Sequence, residues 1–174
     1  MIDTDRLTLR PFRDDDLPRV KATLGDPKIM AFSDNGPLDH TACCEWLNRA
    51  KQTTSDHGLP LMRAICLKPD ERLIGYVSLA NDPHRVSSDE AELGFRLAHD
   101  CWGRGIATEA AQAMVAHATC LPGTKRIVAI VDPNNRQSVR VLHKIGMTYE
   151  RDFMFEGYDY PDHKFSLELA AAAH

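Results

Sequence analysis

Residues 91–110 read AELGFRLAHDCWGRGIATEA, and this stretch decides the fold. A strand ending near Leu97 runs through Trp102-Gly103-Arg104-Gly105-Ile106-Ala107 into a helix. Glycines at such a junction let the backbone turn tightly and leave amide N–H groups uncovered. The first turn of a helix adds unpaired N–H donors and a partial positive charge. Together they make an anion site suited to a pyrophosphate, to which Arg104 can add a charge-assisted hydrogen bond.

Two nucleotide-type cofactors fit that chemistry. A dinucleotide-binding turn reads G-x-G-x-x-G directly after a strand, with an acid about 20 residues on. Gly103 and Gly105 are present and Asp132 closes the next strand, but Thr108 stands at the third glycine position. The segment from Leu97 to Trp102 separates strand from glycine, where the dinucleotide turn is tight. Glu90 and Glu92 in the preceding strand also argue against burial on both faces. A G-x-x-x-x-G-K-[ST] phosphate loop is absent.

Working outward, residues 6–12 alternate apolar and polar positions as a first strand. Asp14, Asp15 and Asp16 offer an N-cap for a helix over 17–24 that Gly25 can close. A second helix carries Ala42, Cys43, Trp46, Leu47 and Ala50 at helical spacing. Residues 61–67 and 73–79 read as a hairpin, followed by a strand over 90–97 and an Ala-rich helix over about 105–120. RIVAIV at 126–131 reads as a strand buried on both faces. A helix starting at Asp132-Pro133-Asn134-Asn135 stops at Gly146, and strands over 147–155 and 158–169 close the chain around Glu156-Gly157. Early hairpins and late helical crossovers predict a mixed α/β (α+β) chain whose sheet is mostly antiparallel, in one domain over residues 1–174.

Composition narrows the function. A net charge of -4 and scattered Lys and Arg give no nucleic-acid footprint. Five cysteines lack zinc-ligand or C-x-x-C spacing, so free thiols in a reducing compartment and no metal are expected. No apolar run approaches the roughly 20 residues of a membrane span, and the first residues lack the pattern of a signal peptide. The expected compartment is the cytoplasm.

The segment Trp102 to Ala107 resembles the R/Q-x-x-G-x-G/A loop of the GNAT superfamily, with Gly105 and Ala107 at its small-residue positions and Trp102 in place of Arg or Gln. WGRGIATEA is similar to the WGKGYATEA of the branch holding the Rim-type acetyltransferases of ribosomal-protein N-termini. Residues 4–11 (TDRLTLRP) resemble that branch's opening strand, and Leu73-Ile74-Gly75 its third. Residues 134–147 resemble its N-x-x-S-x-x-V-x-x-K-x-G-F segment, with Met147 replacing Phe. The resemblance implies the GNAT fold: a central sheet whose two middle strands splay apart, flanked by helices.

It also implies acetyl-CoA as cosubstrate and direct transfer to an amine, in the first place the α-amine of a peptide or protein. A small-molecule amine and a coenzyme A-binding module without turnover are the alternatives. The backbone of Phe95, Arg96 and Leu97 would hold pantetheine. The amides of Gly103, Arg104, Gly105, Ile106 and Ala107 would hold pyrophosphate, and Asn135 would lie near the thioester. An α-amine, with a pKa near 8, is partly neutral at pH 7, and a thiol with a pKa of about 8.5 leaves readily; positioning and oxyanion stabilisation then matter more than acid catalysis. Glu92 is the leading candidate base, or else a strand carboxylate paired with Arg96; Glu90 and His99 are weaker candidates. The tyrosine that many of these enzymes use as an acid aligns with Leu142, and Ser138 is its substitute in the Rim-type branch. Ser138 and Asn135 also have plain readings as first-turn serine and N-cap. Glu109 reads as support for the helix N-terminus, and Trp46 and Trp102 as packing or cleft residues. Cys101 lacks the partners of a nucleophile. A homodimer is expected from family habit.

Overall fold

The computed structural model describes residues 1–53 and 57–170. Strands β1 (Ile2–Asp3), β2 (Leu7–Arg10), β3 (Leu61–Leu67), β4 (Leu73–Ala80), β5 (Glu90–Leu97), β6 (Arg126–Val131), β7 (Thr148–Phe153) and β8 (Asp162–Glu168) form one sheet, in the order β1-β2-β3-β4-β5-β6-β8-β7. Every neighbouring pair is antiparallel except β5 with β6. The helices are α1 (Leu17–Leu24), α2 (His40–Gln52), α3 (Ile106–Ala118) and α4 (Arg136–Lys144). None is long and apolar enough to cross a membrane among the described residues.

Strand alternation sorts side chains into two layers. Leu61 and Ile65 of β3, with Ala91, Leu93 and Leu97 of β5, join the core that includes Ala110, Ala111 and Met114 of α3. Ala64 and Cys66 of β3 point the other way, into a second core with Val20, Leu24, Cys43 and Leu47 of α1 and α2. The small residues Ala110, Ala111 and Ala118 of α3 are fully buried against the sheet, as close helix–sheet packing requires. On β5 the other parity, Glu92, Gly94 and Arg96, therefore faces the α1–α2 side.

Two sequence expectations are corrected. Asp14–Asp16 form a turn of 3-10 helix, and Asp16 does not cap α1 with its side chain. Its carboxylate instead takes two bonds from the Arg10 guanidinium, at 2.7 and 2.8 Å, and one from the Arg13 amide; a bidentate charged pair outbids a neutral cap. Gly25 closes α1 as expected, its amide donating to the Lys21 carbonyl at 2.9 Å. The last two strands are shorter than expected, and residues 154–161 join them as a long connection rather than a tight turn. The two-residue β1, too short to show periodicity, was not expected at all.

Candidate active site

β5 and β6 pair only through Glu90↔Arg126, Ala91↔Ile127 and Glu92↔Val128. Beyond Glu92 they part, and the remainder of each strand opens a fork. The closed end is pinned by charge. Glu90, 3% exposed, accepts from Arg126 of β6 at 2.7 Å and from Lys164 of β8 at 2.9 Å. Burial pushes the Glu90 carboxyl up, but hydrogen bonds from Lys164 and the Ser87 amide, with both cations nearby, hold it below its ordinary value. Glu90 is thus occupied in the fold and lines neither cavity at the fork.

Two cavities meet at the fork, and Phe32, Phe95, Arg96 and Ser138 line both. The larger, about 600 Å³, lies beside α3 and α4 and takes in Leu97, Gly103, Gly105, Ile106, Ala107 and Asn135. Gly103 and Gly105 hold φ of 71° and 75°. A Cβ at Gly103 would meet nothing within 4 Å and one at Gly105 only an Arg6 nitrogen at 3.5 Å. Glycine is required there by the left-handed backbone, not by crowding. Asn135 accepts from the Ser138 amide at 3.2 Å, so its N-cap reading holds while it also lines the cavity.

The glycine loop is strapped to the first strands. Glu109 accepts from the Thr4 hydroxyl at 2.6 Å and from the Arg6 amide and Nε at 2.9 and 2.6 Å, and Arg6 Nη1 donates to the Arg104 carbonyl at 2.9 Å. Burial pushes the Glu109 carboxyl up, but these hydrogen bonds outweigh it and hold the group below its ordinary value. Glu109 is an anchor for the loop rather than a lone charge at a helix end. Trp102 donates Nε1–H to the Leu97 carbonyl at 2.9 Å and packs on His99 with ring centres 4.6 Å apart, which gives both residues a structural task. The Arg104 side chain is exposed and outside the cavity lining. Cys101 is buried, and burial and Asp100 raise its thiol, the opposite of an activated nucleophile.

The cations that do line this cavity are Lys28, Arg96, Arg136, Arg140 and Lys144, and no carboxylate joins them. Arg136, Arg140 and Lys144 recur every four residues along one side of α4, a spacing visible in the sequence but not read there.

The smaller cavity, about 420 Å³, lies on the α1–α2 side, lined by Tyr76, Ser78, Glu92, Gly94 and Leu142 among others. Glu92 is not paired with Arg96, whose Nη1 donates to the Ile29 carbonyl at 3.1 Å. It is gripped at both oxygens by Arg85, at 2.5 and 2.6 Å, and that guanidinium lies 4.6 Å from the Phe155 ring centre. Arg85 comes from the loop before β5 and had no sequence signal. Trp46 packs against Phe12 and Tyr76 behind this cavity without lining it. Among the described residues no group of His, Cys, Asp and Glu could hold a metal ion.

The chain resembles known proteins along most of its length. An acetyltransferase (GNAT) domain family model matches residues 6–148. Protein YkkB of Bacillus subtilis is 30% identical over 150 residues, 85% of each chain. The structure of a GNAT-family acetyltransferase from Bacillus anthracis superposes with a TM-score of 0.83 at 23% identity, covering 96% of this chain and 97% of that one. Spermidine N-acetyltransferase from Vibrio cholerae, solved with CoA and spermine, gives a TM-score of 0.76 at 18% identity, covering 95% and 96%. The parted parallel strands, the left-handed glycine loop and a family match over most of the sequence lead to one assignment: this chain is a member of the GNAT acetyltransferase family.

Proposed function

We propose that the chain, acting as a single domain, carries an acetyl group from acetyl-CoA, bound in the cavity beside α3 and α4, directly to a primary amine entering from the α1–α2 side. The carrying observation is the sorting of charge across the fork. Five cations and no acid line one cavity, and five carboxylates with two guanidiniums line the other. The first suits a polyanionic nucleotide thioester and the second an ammonium. The V. cholerae structure, solved with CoA and spermine, supports a polyanionic and a cationic ligand on one molecule of this fold.

Acetyl-CoA supplies the activated acyl group, and this chain's residues hold and deprotonate. The amides of Gly103 to Ala107 and the row Arg136, Arg140 and Lys144 would bind phosphates. The backbone of Phe95, Arg96 and Leu97 would align the pantetheine arm, with Asn135 beside it. Glu92 would take the proton of the amine through a water, and Ser138, which lines both cavities, would stand where the thiolate departs. A carboxylate has about four lone-pair sites, so the two bonds from Arg85 leave Glu92 able to accept. Leu142 at the usual tyrosine position leaves no phenolic acid there. Resemblance to the Rim-type branch supports a peptide or protein α-amine as acceptor, and the acidic lining supports any acceptor that is itself a cation.

Release of free thiol from acetyl-CoA, measured with a panel of peptides and small amines, tests this reading; no release with any amine would overturn it. Gly105→Ala forces an L-residue into the left-handed region at about 1–2 kcal/mol, so the KM for acetyl-CoA rises about tenfold with the amine KM unchanged. An unchanged acetyl-CoA KM would remove the loop from donor binding. Arg85→Ala lowers kcat/KM for the amine about tenfold and leaves acetyl-CoA affinity as it was, by titration calorimetry. Equal loss on both sides would mean that Arg85 serves only the fold.

A further inference from the structure

We infer that the acceptor carries a second positive charge, an ammonium or guanidinium, held by Asp132 and Asp162 with Asp34 facing them, while its reacting amine lies at the fork. This rests on the reading of the smaller cavity as the acceptor site. Of the five carboxylates there, Glu92 is already neutralised by Arg85. Arg96, the other guanidinium, sits at the junction of the two cavities and spends a donor on the Ile29 carbonyl. The remaining aspartates are a separate feature. Val131 of β6 and His163 of β8 form the last pair of their ladder, and Asp132 and Asp162, the residues next to that pair on each strand, are close enough to repel.

The protein gives these carboxylates neutral hydrogen-bond partners, while Arg85 and His163 act on them only from beyond ion-pair distance. Asp132 accepts from the Tyr160 hydroxyl at 2.9 Å and the Asn134 amide at 2.7 Å. Among the described residues no Lys, Arg or His forms an ion pair with Asp34, Asp132 or Asp162. Burial, then Asp132, then Asp34 push the Asp162 carboxyl upward, and the more distant Arg85 and His163 offset this only in part, so negative charge still dominates the cluster. These acids do not form a metal-holding group, whereas an ammonium on a flexible stem needs no fixed coordination geometry. Phe32 and Phe155 on the same cavity wall offer apolar surface for that stem. Asp132 lies four residues beyond Val128, the last residue paired to β5. At about 3.3 Å per residue this is about 13 Å, which bounds the separation between the two charges.

The test compares acceptors matched in length, with thiol release at saturating acetyl-CoA as readout: putrescine against butylamine, cadaverine against pentylamine, and tripeptides with Lys against Ala after the first residue. The dicationic member exceeds its partner in kcat/KM by at least tenfold, and the gap narrows as salt is raised. The arm showing the larger gap identifies the source, diamine or peptide. Asp132→Asn/Asp162→Asn brings the gap within about threefold while Tm holds or rises, because the substitution relieves repulsion. Equal kcat/KM within every pair, or a gap that survives the double substitution, would overturn the inference and leave the acetyltransferase reading intact. No thiol release with any amine would discard both.

Discussion

Glu92→Gln lowers kcat by about 10²–10⁴-fold, the range for loss of a positioned general base, with acetyl-CoA affinity and Tm nearly unchanged. The substitution keeps shape and volume and removes the capacity to accept a proton. Among the described residues the group it deprives is Arg85, whose side chain is about a quarter exposed and can turn to water. Residual activity gains with pH until the acceptor amine is neutral, near pH 8 for an α-amine and above pH 10 for a lysine-like amine. Measured on a peptide and on an alkylamine, that divergence separates a lost base from a distorted pocket. A loss under fivefold at saturating amine would take Glu92 out of the proton path.

Glu90→Ala lowers stability by about 3–5 kcal/mol, the cost of breaking a buried ion pair by removing one partner. For a chain of this size that is about 10 °C in Tm. The reason is Lys164, 4% exposed, which loses its carboxylate partner in a buried site, and Arg126, which is left with Glu150 and Glu168. Lys164→Met in the same chain recovers part of the loss, because an apolar side chain of similar volume needs no partner. The depressed Glu90 pKa sets the pH dependence. Its contribution is complete above the ordinary carboxyl value of 4.5 and disappears as pH falls through the lower folded value. Chemical denaturation from pH 7 down to pH 3 therefore shows wild type losing stability more steeply than Glu90→Gln. Parallel curves for the two proteins would contradict this account.

Much of the scaffold was legible because its signals are local. Helix α1, strand β3 and the strands of the fork fall within a residue or two of the positions expected from periodicity, and the glycine loop declared itself through Gly103 and Gly105. What sequence could not show depends on distant partners. Asp16 looked like a helix cap until Arg10 claimed it. Glu92 looked free, or paired along its own strand, because Arg85 reaches it from a loop whose path no pattern encodes. A net charge of -4 concealed a strongly cationic cavity and a strongly acidic one, since summation erases position. The four-residue spacing of Arg136, Arg140 and Lys144 was the one overlooked signal that lay in plain view.

The central claim is that the fork and its glycine loop bind acetyl-CoA, and thermal unfolding with acetyl-CoA, coenzyme A and NAD in parallel tests it most directly. A ligand at about 100 times its Kd adds about 2.7 kcal/mol, or about 5–10 °C for a chain of this size. The account predicts that shift with acetyl-CoA and coenzyme A and none with NAD. A shift with NAD alone, or no shift at saturating acetyl-CoA, would contradict it.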